Sequence, residues 1–183
     1  MAGAETPARK NAGLARRFAA TAYEALLLAA VLLLAGFALL PFLSHTPAGG
    51  AAQLHALSPS GRAISGTVYF SVCAAYCIGL WSGGRRTLPM KTWRIALRMA
   101  DGAPVSLRSA TLRYLAWWIG PTLAIGAYLA LRASGHGRWA LVLLAFNYLW
   151  GSVDPERQWL QDRIAGTRLL NDARPLREEA IRN

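Results

Sequence analysis

Four long apolar stretches restrict what this chain can fold into more than any other feature of its sequence. They cover residues 18–43, 64–81, 113–131 and 139–153, and they contain almost no charged side chains. A helix needs about 20 apolar residues to cross the hydrocarbon core of a bilayer. The stretches therefore predict an all-α membrane protein with four transmembrane helices, of which the fourth is short but is needed to return the chain after a tight loop.

Length and composition agree with a single membrane domain. Charged residues make up 16% of the 183 residues, whereas about 25% is typical of soluble domains. This excludes a disordered chain and disfavours a soluble globule. We expect a flexible cytoplasmic N-terminus at residues 1–12, a membrane domain at residues 13–170, and a polar, disordered tail at residues 171–183.

The distribution of basic residues predicts the orientation. With four spans, the N-terminal segment, the middle loop between the second and third spans, and the tail together carry 17 Lys and Arg residues, against 3 in the other two loops. Because basic loops tend to stay in the cytoplasm, both ends of the chain are expected there, in a bacterial inner membrane. Topology and contact with anionic lipid headgroups then account for the net charge of +11, and no nucleic-acid partner is expected.

The middle loop predicts a small surface element. Residues 94–99 alternate between apolar and other side chains, which is typical of a strand, and Asp101 and Gly102 form a turn signal. We therefore expect a short strand or a β-hairpin at the cytoplasmic membrane surface, between spans two and three. Such an element would contact lipid headgroups or, alternatively, a partner protein.

The tail predicts one further helix. Residues 158–164 have an amphipathic pattern, with Trp159, Leu160 and Ile164 expected on the membrane side, and Gly166 is expected to end the helix. Elsewhere, Trp81 lies near the end of a predicted span, where we expect it to anchor at the interface.

Two residues in the later spans predict departures from regular helix packing. Pro121 is expected to kink the third span because it lacks an amide hydrogen. Asn147 is a polar residue inside the predicted fourth span, and we expect its side chain to form a hydrogen bond with another helix.

Glu24 is the one acid in the first span. An intramembrane carboxylate is costly and usually faces a bundle interior or a wet cavity. Arg17 lies two turns earlier on nearly the same face, about 10 Å away along the axis, so Arg113 and Arg163 are the candidate partners. Two interpretations remain open: Glu24 belongs to a structural ion-pair network, or it binds a proton or cation on a transport path.

No residues form a reactive site. Cys73 and Cys77 share a helical face and are expected to pack as small apolar residues. The three histidines fall in predicted outside loops without a further metal ligand, and we expect them to be solvated. No enzyme activity, metal site or cofactor is therefore expected.

Three segments carry a resemblance to a known family. They read RRFAATAYEALLL, GGRRTLPMKTWRIALRMADGAPVSLRSATLR and DPERQWLQDRIAGT. In this order they resemble the signatures of the RDD family of small bacterial membrane proteins, which is named for one arginine and two aspartates. The resemblance covers about residues 13–170.

The resemblance implies roles for individual residues. Arg17 takes the place of the family arginine, Asp162 that of the second aspartate, and Glu24 stands where the first aspartate is usual. Pro89 replaces a usual glycine, and Gln161 replaces a usual histidine beside Asp162. A transport role has been proposed for the family.

Two functional hypotheses follow. The first is transport of a small ion or solute, or an accessory role in it, with an intramembrane polar cluster of Arg17, Glu24, Arg113 and Asp162. The alternative is a non-transporting membrane assembly or interaction protein in which the same cluster is structural. Four short spans leave little room for a transport pathway within a single copy of the chain, which favours a homo-oligomer or association with another membrane protein.

Overall fold

The computed structural model describes residues 11–43 and 59–171, and these are mostly helical. Residues 1–10, the loop at 44–58 that contains His45 and His55, and the predicted disordered tail after Asn171 lie outside the described residues. In chain order the helices and strands are α1 (Leu14–Leu43), α2 (Pro59–Trp81), α3 (Leu88–Thr92), β1 (Ile95–Met99), α4 (Leu107–Trp117), α5 (Ile119–Leu131), α6 (Phe146–Leu149), α7 (Leu160–Ala165) and β2 (Thr167–Asn171).

Three of the four predicted spans are confirmed as helices that are long and apolar enough to cross a membrane. Within the described residues these are Leu14–Phe42, Pro59–Gly84 and Leu107–Ser134. The first two run antiparallel, since Glu24 on α1 lies near Trp81 on α2 and Gly36 on α1 lies near Tyr69 on α2.

The third span is interrupted at Trp118, between α4 and α5. Pro121 has no amide hydrogen, so the carbonyl of Trp117 lacks its α-helical donor. The side chain of Asn147 supplies one, since its Nδ2 donates to Trp117 O at 2.9 Å and to Ala116 O at 3.1 Å. The expected bond across helices from Asn147 is therefore confirmed, beside the interruption expected from Pro121.

The fourth predicted span is not one long α-helix. It consists of a 3-10 helix at Gly137–Ala145, the short α6, and a second 3-10 turn at Trp150–Ser152. The segment packs closely on α5, because a Cβ added at Gly120 would lie 3.0 Å from the Leu143 carbonyl oxygen. A fourth transmembrane helix is thus not confirmed.

A two-stranded antiparallel sheet joins the middle loop to the C-terminal part of the chain. β1 pairs with β2 in a register that places Ile95 opposite Asn171 and Met99 opposite Thr167. The N-terminal segment also reaches this sheet, since Asn11 forms a bridge with Leu170.

The prediction of a β-hairpin within the middle loop is wrong, although the strand itself forms. The turn at Asp101 and Gly102 is present, and Gly102 has a positive φ of 85°. Pro104 follows and cannot donate an amide hydrogen to a ladder. The next carbonyl, of Val105, accepts from the Gly83 amide at 2.9 Å, so no returning strand is available and β1 pairs with β2 instead.

Local signals at helix ends are confirmed. The Ser106 hydroxyl caps α4 by accepting from the Ser109 amide at 3.1 Å. The predicted tail helix corresponds to α7, which ends at Gly166 in the left-handed conformation.

The buried core lies at one end of the bundle, where the start of α1, the end of α2, α4, α7 and the sheet meet. Its largest fully buried side chains include Trp159, Tyr114, Ile95 and Leu97. This end of the fold positions the polar cluster.

Candidate functional site

A buried ion pair between α4 and α7 forms the centre of the polar cluster. Arg113 Nε donates to Asp162 Oδ1 at 2.7 Å, and the two side chains are 6% and 2% exposed. The Thr167 hydroxyl donates to the same carboxylate oxygen at 3.3 Å. The Arg113 guanidinium also lies over the Trp81 ring, 4.1 Å from its centroid, so the positive group is held on two sides.

Arg17 approaches Asp162 from α1. It is 3% exposed, and its Nη1 donates to the Arg157 carbonyl at 3.0 Å. Its charge interacts with that of Asp162, and Arg17 makes no direct pair with Glu24. Arg17 therefore links the start of α1 to the segment that precedes α7.

Glu24 joins the cluster through Arg113. The Arg113 charge acts on the Glu24 carboxylate, and the side chains of Thr87 and Trp81 lie close to it, although Trp81 Nε1 makes no hydrogen bond of standard distance and angle among the described residues. One carboxylate oxygen, Oε1, is nevertheless buried without a hydrogen-bond partner. The structure thus places all four residues of the cluster together. Among the described residues, Asp162 Oδ2 is likewise buried without a partner, but Asp162 differs from Glu24 in that its Oδ1 accepts from both Arg113 and Thr167.

Arg163, the other candidate partner of Glu24, is directed elsewhere. Its side chain is about half exposed and lies 3.7 Å from Asp154 and 3.7 Å from Glu156. Of the two candidates, Arg113 is the residue that faces Glu24.

Glu24 borders a small pocket that we call the Glu24 cavity. Its volume is about 30 Å³, and a cavity needs only about 10–15 Å³ of this measure to hold one water molecule. The polar and aromatic side chains that line it include Glu24, Trp81, Arg113, Tyr148, Trp159 and Gln161.

The Glu24 cavity limits the chemistry that the cluster can perform. It admits a water molecule or a small ion, but it has no room for a larger solute. With both acids ionised, the two arginines balance the two carboxylates, so binding one proton or one monovalent cation at Glu24 leaves a single net positive charge. A carboxylate with an unpaired buried oxygen is suited to accept such a charge.

Sequence reasoning missed several residues of the cavity. Trp81 was expected at the membrane interface and Trp159 on the membrane side of the tail helix, yet they are 4% and 1% exposed. Gln161 was identified only as the residue that replaces a histidine usual in the family, and its place in the cavity lining was not predicted. The available signal was Glu24 itself, since a carboxylate at depth requires polar neighbours, and indole N–H groups are among the donors that a buried site can offer.

Comparison with known proteins identifies the family of this chain. The model of the RDD family matches residues 11–166, a segment that contains every residue of the polar cluster. No curated protein matches the chain significantly. No solved structure does so either. The family match extends over most of the sequence, and the chain therefore belongs to the RDD family.

Proposed function

We propose that this protein carries a small ion, a proton or a monovalent cation, across the membrane or serves as an accessory to such transport, with Glu24 as the ion-binding group. The observation that carries the proposal is the buried, unpaired Oε1 of Glu24 beside a cavity of about 30 Å³. Intramembrane acids in this setting are typical of ion and proton pathways.

The bonding of the cluster supports a division of roles. Arg113 and Asp162 are bonded to each other, and Arg17 is bonded to a main-chain carbonyl. These three residues hold helices together, which fits positioning roles. Glu24 lacks such a bond at Oε1, so a change in its charge would break no direct ion pair.

The same proposal includes four membrane crossings with both ends in the cytoplasm of a bacterial inner membrane. Support comes from the basic residues and from the length of the fourth segment. A 3-10 helix rises about 2.0 Å per residue, so the nine residues of Gly137–Ala145 with α6 and the following turn extend on the order of 30 Å, close to the thickness of a bilayer core. Anionic headgroups would contact the basic cytoplasmic face.

An assembly protein is the competing function, and one observation favours it. Only 6% of the most apolar window of α1 is buried within the fold, so a long helical face is free to contact lipid, a second copy or another membrane protein. In that case the polar cluster is structural. Under either function we propose a role without enzymatic activity.

Flux measurements on the full chain in proteoliposomes test the transport proposal. We expect proton or monovalent-cation flux from the wild-type protein, and its loss in Glu24→Gln with the folded yield retained. The matched control is Asp101→Asn, which also removes one carboxylate charge but lies in an exposed turn, where Asn keeps the Oδ1 acceptor for the Ala103 amide.

The outcomes separate the two functions. Flux that is lost in folded Glu24→Gln and retained in Asp101→Asn supports transport through Glu24. Absence of flux from folded wild-type protein would refute the transporter itself and favour the accessory or assembly role. A Glu24→Gln protein that does not fold would assign the carboxylate to structure.

A further inference from the structure

Four buried polar atoms on residues that line the Glu24 cavity have no hydrogen-bond partner among the residues that the structure describes. Two are donors, Trp81 Nε1 and Trp159 Nε1, and two are acceptors, Glu24 Oε1 and Gln161 Oε1. Leaving a buried polar group unpaired is expensive, and such groups are uncommon in folded proteins. The four residues that carry these atoms all line one small cavity, which points to a ligand that satisfies both kinds of group.

A water molecule matches this set in number and in kind. Water donates two hydrogen bonds and accepts two, and buried waters typically make about three hydrogen bonds in a space of this size. The two indole N–H groups would donate to its oxygen, while Glu24 and Gln161 would accept its hydrogens. When Glu24 is protonated, its remaining carbonyl oxygen can still accept from the same water.

The lining is unsuited to a bare metal cation. An alkali cation that gives up its hydration shell needs a set of oxygen atoms in its place. Two of the four unpaired atoms are instead N–H groups, whose partly positive hydrogens are no ligands for a cation, and the Arg113 guanidinium is also in the lining. A cavity of about 30 Å³ is too small for the cation to keep its own water shell.

We infer that the Glu24 cavity is a hydrated proton site, in which one bound water joins Glu24 to Gln161, Trp81 and Trp159 and the ion taken up by Glu24 is a proton rather than an alkali cation. The inference rests on the proposed function, since it names the ion that the site would carry.

The charged and titratable groups that face Glu24 agree with uptake of a proton. Arg113 on α4 is the charged residue that acts on it. The others are Tyr76 and Cys77 on α2 and Tyr148 on α6, each of which is uncharged in its protonated form. Arg113 pairs directly with Asp162 at 2.7 Å, so Glu24 is the carboxylate of the cluster that is not engaged in this pair.

Infrared difference spectroscopy of the full chain in lipid nanodiscs tests the proton site without a flux assay. A protonated-carboxyl band is expected to appear as the pH is lowered, to disappear in Glu24→Gln, and to persist in the control Asp101→Asn. If Glu24→Gln does not fold, Glu24→Asp is used, and the same band is expected to shift rather than vanish.

The choice of ion is tested in the same titration. The pH at which the carboxyl band reaches half its full intensity is expected to be the same in NaCl, KCl, LiCl and choline chloride at equal ionic strength. A midpoint that falls when an alkali cation replaces choline would mean that the metal competes with the proton at Glu24, and this would overturn the inference. Failure of any carboxyl band to titrate in folded protein would overturn it equally.

The bound water has its own signature. A water O–H stretching band is expected that shifts in ¹⁸O-labelled water and is lost in Trp81→Phe, which removes one donor and keeps an aromatic ring beside Arg113. A spectrum of Trp81→Phe identical to that of the wild type would show that no water is bound to Trp81 in the cavity.

The two proposals fail in different ways. The proposed function fails if the folded wild-type protein moves no ion, whatever the titration shows. The proton site fails if alkali cations displace the titration or the band is absent, even when flux is present.

Discussion

Around Glu24, buried polar groups on different elements are joined by directional bonds. Arg113 on α4 pairs with Asp162 on α7 at 2.7 Å, and the Thr167 hydroxyl on β2 donates to the same carboxylate at 3.3 Å. At the opposite end of α1, residues 29–42 contain no buried residue. Apolar side chains such as those of Leu33, Leu34 and Phe37 are about two-thirds exposed there.

The difference shows that the two ends are stabilised by different partners. The polar end specifies its own geometry, because a buried charge tolerates few arrangements. The apolar end gains little from the rest of the fold and is stabilised by its surroundings, since helices in lipid associate through close packing rather than through a hydrophobic effect. Substitutions at the two ends should therefore differ strongly in their cost.

The largest effect is expected from Arg113→Ala. Truncation leaves Asp162 buried without its cation, and breaking a buried pair in this way costs about 3–5 kcal/mol. The free energy of unfolding in mixed micelles with increasing SDS measures the loss. Arg138→Ala is the control, since Arg138 also lies over a tryptophan, Trp139, at 5.8 Å but is exposed.

The control should change stability by no more than about 0.5 kcal/mol. A double variant, Arg113→Met with Asp162→Leu, should regain part of the lost stability, because neither member of the broken pair remains as a buried charge. The recovery is incomplete, since Glu24 and Arg17 each lose an oppositely charged neighbour. Equal losses in Arg113→Ala and Arg138→Ala would contradict the contrast between buried and exposed sites.

The next effect is expected where α5 meets the fourth segment. Gly120→Ala places a Cβ 3.0 Å from Leu143 O and 3.1 Å from Leu144 O. Because main-chain atoms cannot move aside cheaply, we expect a loss of about 1–3 kcal/mol in the same unfolding assay.

Gly126→Ala, also on α5, meets no atom within 4 Å. It should leave the stability unchanged or raise it by up to about 1 kcal/mol. If both alanines behave alike, the close packing of the fourth segment on α5 is not real.

A smaller effect is expected from Asn147→Leu, which removes the donor to Ala116 O and Trp117 O. Hydrogen bonds between membrane helices are worth about 0.6 kcal/mol on average and up to about 1.7. A double-mutant cycle that combines Asn147→Leu with Pro121→Ala measures the coupling free energy between the two positions. Coupling is expected because an alanine amide at position 121 can bond to Trp117 O in place of Asn147. Additive effects would mean that Asn147 does not compensate for the proline.

The smallest effect is expected at the apolar end. Leu34 is 68% exposed, so Leu34→Ala should change the free energy of unfolding by no more than about 0.5 kcal/mol. Leu28→Ala, one turn beyond Glu24 and 4% exposed, is the matched comparison and should cost more. A larger loss at Leu34 would reveal a protein partner on this face of α1.

Features with a local cause were predictable from the sequence. Three spans, the Ser106 cap, the turn at Gly102 and the end of α7 at Gly166 each depend on a few neighbouring residues. The partner of β1 was not predictable, because Pro104 forbids a local hairpin without indicating which distant strand replaces it.

The candidate site was predictable in its members more than in its arrangement. The charged residues of the polar cluster stand out because charge within or beside an apolar stretch is costly. The burial of Trp81 and Trp159 was not predictable, since the same residue type is equally suited to the membrane interface. Likewise, nothing local distinguishes a regular fourth helix from the observed 3-10 segments.

The sequence by itself determined the membrane class, three spanning helices and the residues whose charges need partners, because hydropathy and chain length act along the chain. Only the tertiary structure decided that Arg113 pairs with Asp162, 49 residues away, and that Glu24 keeps one oxygen unpaired beside a small cavity. The physical reason is distance: electrostatic and hydrogen-bond energies depend on separations of a few ångströms, and packing between distant elements sets those separations.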